Sequence, residues 1–123
     1  MKAFTVCAAL FLLLTVLVTT FAFLSGEKVK KLEVLAENAA LCALNEQDVE
    51  AQKLFESLKK EWYALEPKLA LTIHHSTIKP VRLAVTDIEN AIVLQNREAL
   101  YAALVRLSKE LKTLADDIKI PSL

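Results

Sequence analysis

The stretch LYAALVRLSKELKTLADDI, residues 100–118, places leucine or isoleucine at alternating intervals of four and three residues. An α-helix completes a turn in about 3.6 residues, so this spacing aligns those side chains along one face. Such a heptad-like seam is typical of a helix that packs against other helices, and it predicts a helical bundle. The seam consists of Leu100, Leu104, Leu107, Leu111, Leu114 and Ile118.

The residues that precede this seam, from Glu27 onward, also have the composition of a helical protein. Alanine, leucine, glutamate and lysine dominate, all of them good helix formers, and no segment alternates as a β-strand would. The fold class predicted is therefore all-α, with an N-terminal transmembrane helix followed by an antiparallel helical bundle. We expect a first helix over 27–44, continuous with the membrane helix, and a second helix that Asn45 caps.

The second predicted helix carries an apolar stripe formed by Ala51, Leu54, Phe55, Leu58, Trp62 and Leu65. Proline disfavours helical geometry at the preceding residue, so Pro67 and Pro80 are expected to break or kink the chain. A short helix would cover 68–76, and a further helix would follow Pro80. A turn at Gln95–Asn96 would lead into the last helix.

Two segments of the body resemble each other: EAQKLFESLKKEWYAL, from Glu50, and ALYAALVRLSKELKTL, from Ala99. Leu58 matches Leu107, and Trp62 matches Leu111. Each half would then be a helical hairpin, as in tetratricopeptide-like arrays. Because amphipathic helices also resemble one another by default, duplication and chance similarity both remain open.

The N-terminal segment AFTVCAALFLLLTVLVTTFAFL, residues 3–24, contains no charged residue. About 20 apolar residues in a helix cross a bilayer core of roughly 30 Å, so the segment is long enough to span a membrane. We interpret 1–26 as a membrane anchor and 27–123 as the bundle domain. The alternative is a secretory signal cleaved after Thr20-Phe21-Ala22. The length of the apolar run and the lack of a helix breaker favour the retained anchor.

The charges that flank the apolar segment give conflicting signals about topology. A short tail before an apolar run is usual for a protein whose body is exported. However, Lys28, Lys30 and Lys31 outnumber Lys2, and the positive-inside tendency would keep their side in the cytoplasm. We predict a single-pass protein of the cell membrane with an extracytoplasmic body.

Several function classes are disfavoured by composition. The chain has 15 basic and 15 acidic residues and no basic footprint, so no nucleic-acid partner is expected. One glycine cannot form a glycine-rich phosphate loop, and no serine has the context of a nucleophile elbow. We therefore expect no enzymatic activity and no cofactor. Cys7 and Cys42 are interpreted as small apolar side chains without a disulfide.

The candidate structural or functional positions are Trp62 and His75. Adjacent helical residues point about 100° apart, whereas a metal pair on a helix needs a spacing of three or four. We therefore predict no metal site at His74 and His75. His75 is expected to be partly buried and hydrogen-bonded at a helix end, with His74 on the surface, and a pH-sensing role is the alternative. Trp62 continues an apolar stripe and is expected in the core rather than in a ligand site.

The order of these features resembles a known family. It comprises the apolar span, LFESLKKEW at 54–62, LTIHHSTIKPVRLAVTDIENAI at 71–92, and the leucine-spaced last helix. With this order of features, the chain is similar to a family of small membrane-anchored proteins, found mainly in spore-forming Gram-positive bacteria and catalogued as domain of unknown function number 4363. The most specific parts are Trp62 and Ile73-His74-His75. The family usually has acidic residues before and after that histidine, where this chain has His74, Thr77 and Lys79, which weakens any carboxylate–histidine site. The resemblance implies a helical anchored or exported domain, and no activity.

Two functions fit these observations. The first is a membrane-tethered interaction or structural module that presents a helix face to an unidentified protein partner, which requires an apolar surface outside the core. The second is an extracytoplasmic sensor domain that binds a ligand or a metal within the bundle, which requires a pocket with converging polar groups.

Overall fold

A computed structural model describes residues 2–71 and 73–118, apart from the side chain of Ala22. Residues 119–123 of the predicted bundle domain and Thr72 of the predicted short helix lie outside the described residues. The described residues form helices and turns without a strand, which confirms the all-α prediction. The helices are α1 (Lys2–Leu44), α2 (Asp48–Leu69), α3 (His75–Val93) and α4 (Arg97–Ile118).

Helix α1 has 43 residues and combines two environments. Its first part, residues 2–20, is exposed on all sides and contributes nothing to the core. From Ser25 onward, one face is buried against the other helices. At 1.5 Å per residue the helix is about 65 Å long, and no break separates the apolar segment from the body. The expectation of one continuous helix is confirmed.

The body is a bundle in which helices that follow one another run antiparallel. The C-terminal half of α1 packs between α2 and α4, and α3 packs on α4, whereas the contact between α2 and α3 is the smallest of the four between neighbouring helices. The interface of α1 and α4 is the most extensive. Small side chains allow two helix axes to approach closely. The face of α1 that is buried in the bundle supplies them at Ser25, Gly26, Ala36, Ala39, Ala40 and Ala43.

The second helices of the two hairpins, α2 and α4, are equivalent in length and in their buried positions. Arg97, the first residue of α4, follows Asp48, the first residue of α2, by 49 residues, and both helices have 22 residues. The same spacing relates every buried position of α2 to a buried position of α4, and only Ala115 of α4 has no buried counterpart, because Glu66 stands at the equivalent place. The hairpins close into one bundle because α4 packs on α1. The equivalent buried pairs are Ala51 and Leu100, Phe55 and Leu104, Leu58 and Leu107, Trp62 and Leu111, Leu65 and Leu114, and Leu69 and Ile118.

The two hairpin turns also share one geometry. Glu46 and Gln95 have positive φ angles of 64° and 53°, in the left-handed region. In the first turn, Gln47 N donates to Cys42 O at 2.8 Å and Glu46 N donates to Ala43 O at 3.3 Å. This pair of bonds defines a Schellman motif, and the second turn repeats it. There, Asn96 N donates to Ala91 O and Gln95 N donates to Ile92 O, both at 3.1 Å.

The predicted cap of α2 is wrong, whereas the predicted turn at Gln95–Asn96 is confirmed. Asn45 still belongs to the last turn of α1, because its N–H donates to Leu41 O at 3.0 Å. Helix α2 begins three residues later, after Gln47, which makes no side-chain capping bond. In the second turn, the side chain of Asn96 accepts a hydrogen bond from Ala99 N at 3.1 Å and caps α4.

Of the predicted break or kink at each proline, the break does not occur. Helix α2 continues through Pro67 to Leu69, and α3 continues through Pro80, so no separate helix covers 68–76. A proline inside a helix removes one hydrogen bond, to the carbonyl four residues earlier, and its ring crowds that carbonyl. Pro67 lies near the end of α2 and Pro80 lies in the second turn of α3. The buried residues on either side of each proline keep both helices on the core.

Candidate functional site

The two histidines lie at the start of a helix, where His74 is the N-cap of α3. Its Nδ1 accepts a hydrogen bond from Ser76 N at 3.2 Å and lies 2.8 Å from Ser76 Oγ. In this arrangement Nδ1 carries no proton, because it accepts the backbone N–H bond. His74 therefore satisfies an amide that the first turn of a helix leaves without an internal partner.

His75 is the first residue of α3 and is exposed. The prediction that it is partly buried is wrong, because both histidines are exposed, and His75 lies where a helix begins rather than where one ends. The physical reason is the position of the helix boundary, because the buried stripe of α3 begins one turn later, at Ile78. His75 thus makes no contribution to the core.

Metal-ligating side chains are dispersed over the part of the chain that the structure describes. No group of three or more His, Cys, Asp or Glu residues in residues 2–71 and 73–118 is placed to hold a metal ion. Cys7 is free and exposed on the apolar segment, and Cys42 is free and partly buried in the body.

Trp62 lies in the centre of the core, only 1% exposed, as its place on the apolar stripe predicts. Its indole Nε1 is buried without a hydrogen-bond partner among the described residues. A buried aromatic with this environment stabilises the bundle and does not present a surface for ligand stacking.

The side of the bundle where α2 and α3 face each other with little direct contact is covered by charged and polar groups. Arg82 Nε donates to Glu66 Oε1, and Lys59 Nζ lies 3.7 Å from Glu89 Oε2. Tyr63 lies beside them, and burial followed by the charge of Glu89 raises the pKa of its hydroxyl. These pairs cross the gap between the two helices and present a polar surface.

A second group of ion pairs lies at the end of the bundle furthest from the apolar segment, where both hairpin turns meet. Arg97 joins them, because its Nε and Nη2 donate to the Asp48 carboxylate at 3.0 and 2.8 Å. Arg97 Nη1 also lies 3.5 Å from Glu46 Oε1. The hydrogen bonds from Arg97 hold the pKa of Asp48 below its usual range, and they raise the pKa of Arg97.

Four apolar side chains at this same end are exposed, and we name them the distal patch. Their exposed fractions are 57% for Leu44, 66% for Val49, 79% for Val93 and 74% for Leu94. Large exposed apolar patches mark sites of protein or membrane interaction. The distal patch is not among the sites predicted from the sequence. The signal that indicates it is the position of Leu44 and Val93, which are the last residues of α1 and α3 and lie at equivalent places in the two hairpins.

The family model described as Domain of unknown function (DUF4363) matches residues 25–120. Neither a curated protein nor a solved structure matches this chain. The matched range begins at Ser25, where burial of α1 begins, and it includes both hairpins and the turns that carry the distal patch. The chain therefore belongs to the family defined by the domain of unknown function DUF4363, as the order of its motifs indicates.

Proposed function

We propose that this protein is anchored in a membrane by residues 3–24 and that its body is an interaction module. In this proposal, the distal patch binds another protein, and the body lies on the extracytoplasmic side. The role requires no catalysis and no cofactor.

The surface of the apolar segment supports the proposed anchoring. Helix α1 is long and apolar enough to cross a membrane, and none of its most apolar window is buried in the body. Thr15 Oγ1 donates to Phe11 O at 2.9 Å, and Thr19 Oγ1 donates to Thr15 O at 2.8 Å. Hydroxyl groups in hydrocarbon need such internal partners, because lipid tails offer none.

The exposure of the distal patch is the observation that supports the proposed interaction. The core is internal to the bundle, so Leu44, Val49, Val93 and Leu94 are not needed to complete it. Leu44 lies twenty residues beyond Leu24 on the same helix, which places the patch about 30 Å from the apolar segment. At that distance the patch faces away from the bilayer and is accessible to a protein partner.

A photo-crosslinking amino acid introduced at Val49 tests this interaction in native membranes. We expect a discrete crosslinked product, identified by mass spectrometry, that is lost when Val93→Glu and Leu94→Glu are combined in the same chain. Leu83→Glu is the matched control, because Leu83 is also exposed but lies on the side of α3. The proposal is wrong if the distal substitutions leave the crosslinked product unchanged.

The proposed topology has a separate test. Lys53 is exposed near the distal end of α2, so Lys53→Cys in a chain carrying Cys42→Ala provides one reactive thiol on the body. A membrane-impermeant maleimide should label this thiol in intact cells. Labelling only after the membrane is opened would place the body in the cytoplasm.

A further inference from the structure

The end of the bundle next to the apolar segment carries a groove between α1 and α2. Its volume is about 250 Å³, and three lysines line it, Lys28 and Lys31 from α1 and Lys68 from the last turn of α2. The remaining lining residues are Leu32, Glu61, Ala64 and Leu65. We propose that this groove binds the phosphate headgroup of an anionic phospholipid.

The position of the lysines relative to the bilayer is the first argument. Lys28 and Lys31 follow Leu24 by four and seven residues, which corresponds to about 6 and 10 Å along the helix axis. The headgroup region extends roughly 5–8 Å beyond the hydrocarbon core on each side. Because lysine side chains are long and flexible, both ammonium groups reach the depth of the lipid phosphates. This step rests on the proposed membrane anchoring.

The antiparallel packing of α2 on α1 supplies the third positive charge. Helix α2 runs back toward the apolar segment and ends at Leu69, so Lys68 lies at the same end of the bundle as Lys28. Neither helix alone would place three lysines around one cavity. The site is therefore a property of the fold and not only of the basic residues that follow the apolar segment.

The charges in the groove are available for a ligand. In the part of the chain that the structure describes, Lys28, Lys31 and Lys68 belong to no ion pair within 4.0 Å. By contrast, all three arginines are paired with carboxylates: Arg82 with Glu66, Arg97 with Asp48, and Arg106 with Asp87. Glu61 is the one carboxylate in the lining, so the groove remains net positive.

The chemistry of the lining fits a phosphodiester attached to a lipid. Ammonium groups donate charge-assisted hydrogen bonds to phosphate oxygens and act as point charges toward them. Basic side chains near a membrane surface attract anionic lipids, by about fivefold in affinity for each lysine. Leu32, Ala64 and Leu65 form an apolar wall, which suits the glycerol and upper acyl carbons better than it suits a free, fully hydrated phosphate ion.

The test uses the full chain reconstituted into vesicles of equal parts phosphatidylglycerol and phosphatidylcholine. Lipids that remain bound on extraction are counted by native mass spectrometry. We expect at least a fivefold preference for phosphatidylglycerol, which falls to near parity in Lys28→Gln/Lys31→Gln/Lys68→Gln. The matched control is Lys53→Gln/Lys60→Gln/Lys109→Gln, which removes the same charge at exposed positions outside the groove and should keep the preference.

Each other outcome has a distinct meaning. An unchanged preference in the groove variant, or an equal loss in the control, would overturn the proposal. Loss of the preference in phosphate buffer, relative to chloride of equal ionic strength, would assign the groove to free phosphate and overturn the lipid assignment. Failure of the wild type to resist alkaline extraction from phosphatidylcholine vesicles would instead contradict the membrane anchoring.

Discussion

Asp48 and Arg97 occupy the same position in the two hairpins, the first residue of α2 and of α4, and a bidentate ion pair joins them. The pair crosses the distal end of the bundle and connects the two turns. The structural repeat therefore places opposite charges at equivalent sites, where identical charges would repel each other. This contact holds together the surface that carries the distal patch.

Asp48→Asn should reduce stability in a pH-dependent way. Arg97 lowers the pKa of Asp48 in the folded protein, so the stabilisation is present above the ordinary carboxyl range and is lost as the pH falls through the lowered pKa. We expect the wild type to exceed the variant in free energy of unfolding at neutral pH and to converge with it in acid. The measurement is urea unfolding of the full chain in mild detergent, followed by the fluorescence of Trp62, the sole tryptophan. Glu37→Gln, which alters an exposed carboxylate without an ion pair among the described residues, should show no such convergence.

Gln95→Gly should stabilise the body by about 1 kcal/mol. Gln95 has a φ of 53°, a conformation that costs a residue with a Cβ atom roughly that free energy and costs glycine almost nothing. The same urea titration measures the change. Ala102→Gly, at an exposed position inside α4, is the control and should destabilise by about 1 kcal/mol. Destabilisation by Gln95→Gly would contradict the assigned Schellman turn.

Trp62→Ala should reduce the free energy of unfolding by about 3 to 5 kcal/mol, the usual cost of removing a large buried aromatic. Trp62→Phe should cost less than about 1.5 kcal/mol, because it keeps a ring in the core and removes the unpartnered Nε1 donor. Far-ultraviolet circular dichroism replaces fluorescence for both variants. A loss below about 1 kcal/mol for Trp62→Ala would mean that the indole is exposed and would favour a binding role.

His74→Asp should stabilise the body by about 0.5 to 1 kcal/mol. Aspartate is among the best N-cap residues, and its charge interacts favourably with the N-terminus of a helix. His75→Ala should change stability by less than about 0.5 kcal/mol, because the side chain is exposed. Chemical denaturation of both variants is the check, and a larger loss for His75→Ala would contradict the exposed position of its side chain.

The apolar segment should remain on the protein after export. Its length and the absence of a helix breaker before Thr20-Phe21-Ala22 favour retention over cleavage. Intact-mass measurement of the protein from the membrane fraction should find residues 3–24 present. A mature N-terminus at Phe23 would contradict both the retained anchor and the proposed lipid site.

Some elements of the fold are predictable because residue spacing reports directly on helix faces. The seam of α4 and the continuity of α1 follow from such spacing, as does the burial of Trp62. The continuation of α2 through Pro67 and of α3 through Pro80 is not predictable in this way. Each proline removes one local hydrogen bond, and burial of Leu65, Leu69, Ile78 and Val81 offsets this loss only once the other helices are present.

The candidate surfaces depend even more on tertiary structure. The environment of His75 follows from where α3 begins. The sequence does not indicate that boundary, because Pro67 and Pro80 predict helix limits at other places. The distal patch combines residues from two turns that are separated along the chain and meet only because α4 packs on α1. The lysine groove likewise needs α2 to return to the start of the body. Of these, only the basic residues beside the apolar segment are visible in the sequence.

Helix α1 runs without a break from the apolar segment into the core, so the two parts of the chain are joined by a continuous helix. Gly26, at the junction, lies inside the helix, and a Cβ atom built there would be 3.7 Å from Ile118 Cγ2, so α4 braces this point. If the apolar segment is a membrane anchor, as proposed, the continuous helix would pass a tilt of that anchor to the bundle. For a rigid rod of about 30 Å, a tilt of about 10° moves the distal end sideways by roughly 5 Å. Under the proposed anchoring, changes in bilayer thickness, which alter the tilt of a spanning helix, would thus be converted into displacement of the distal patch.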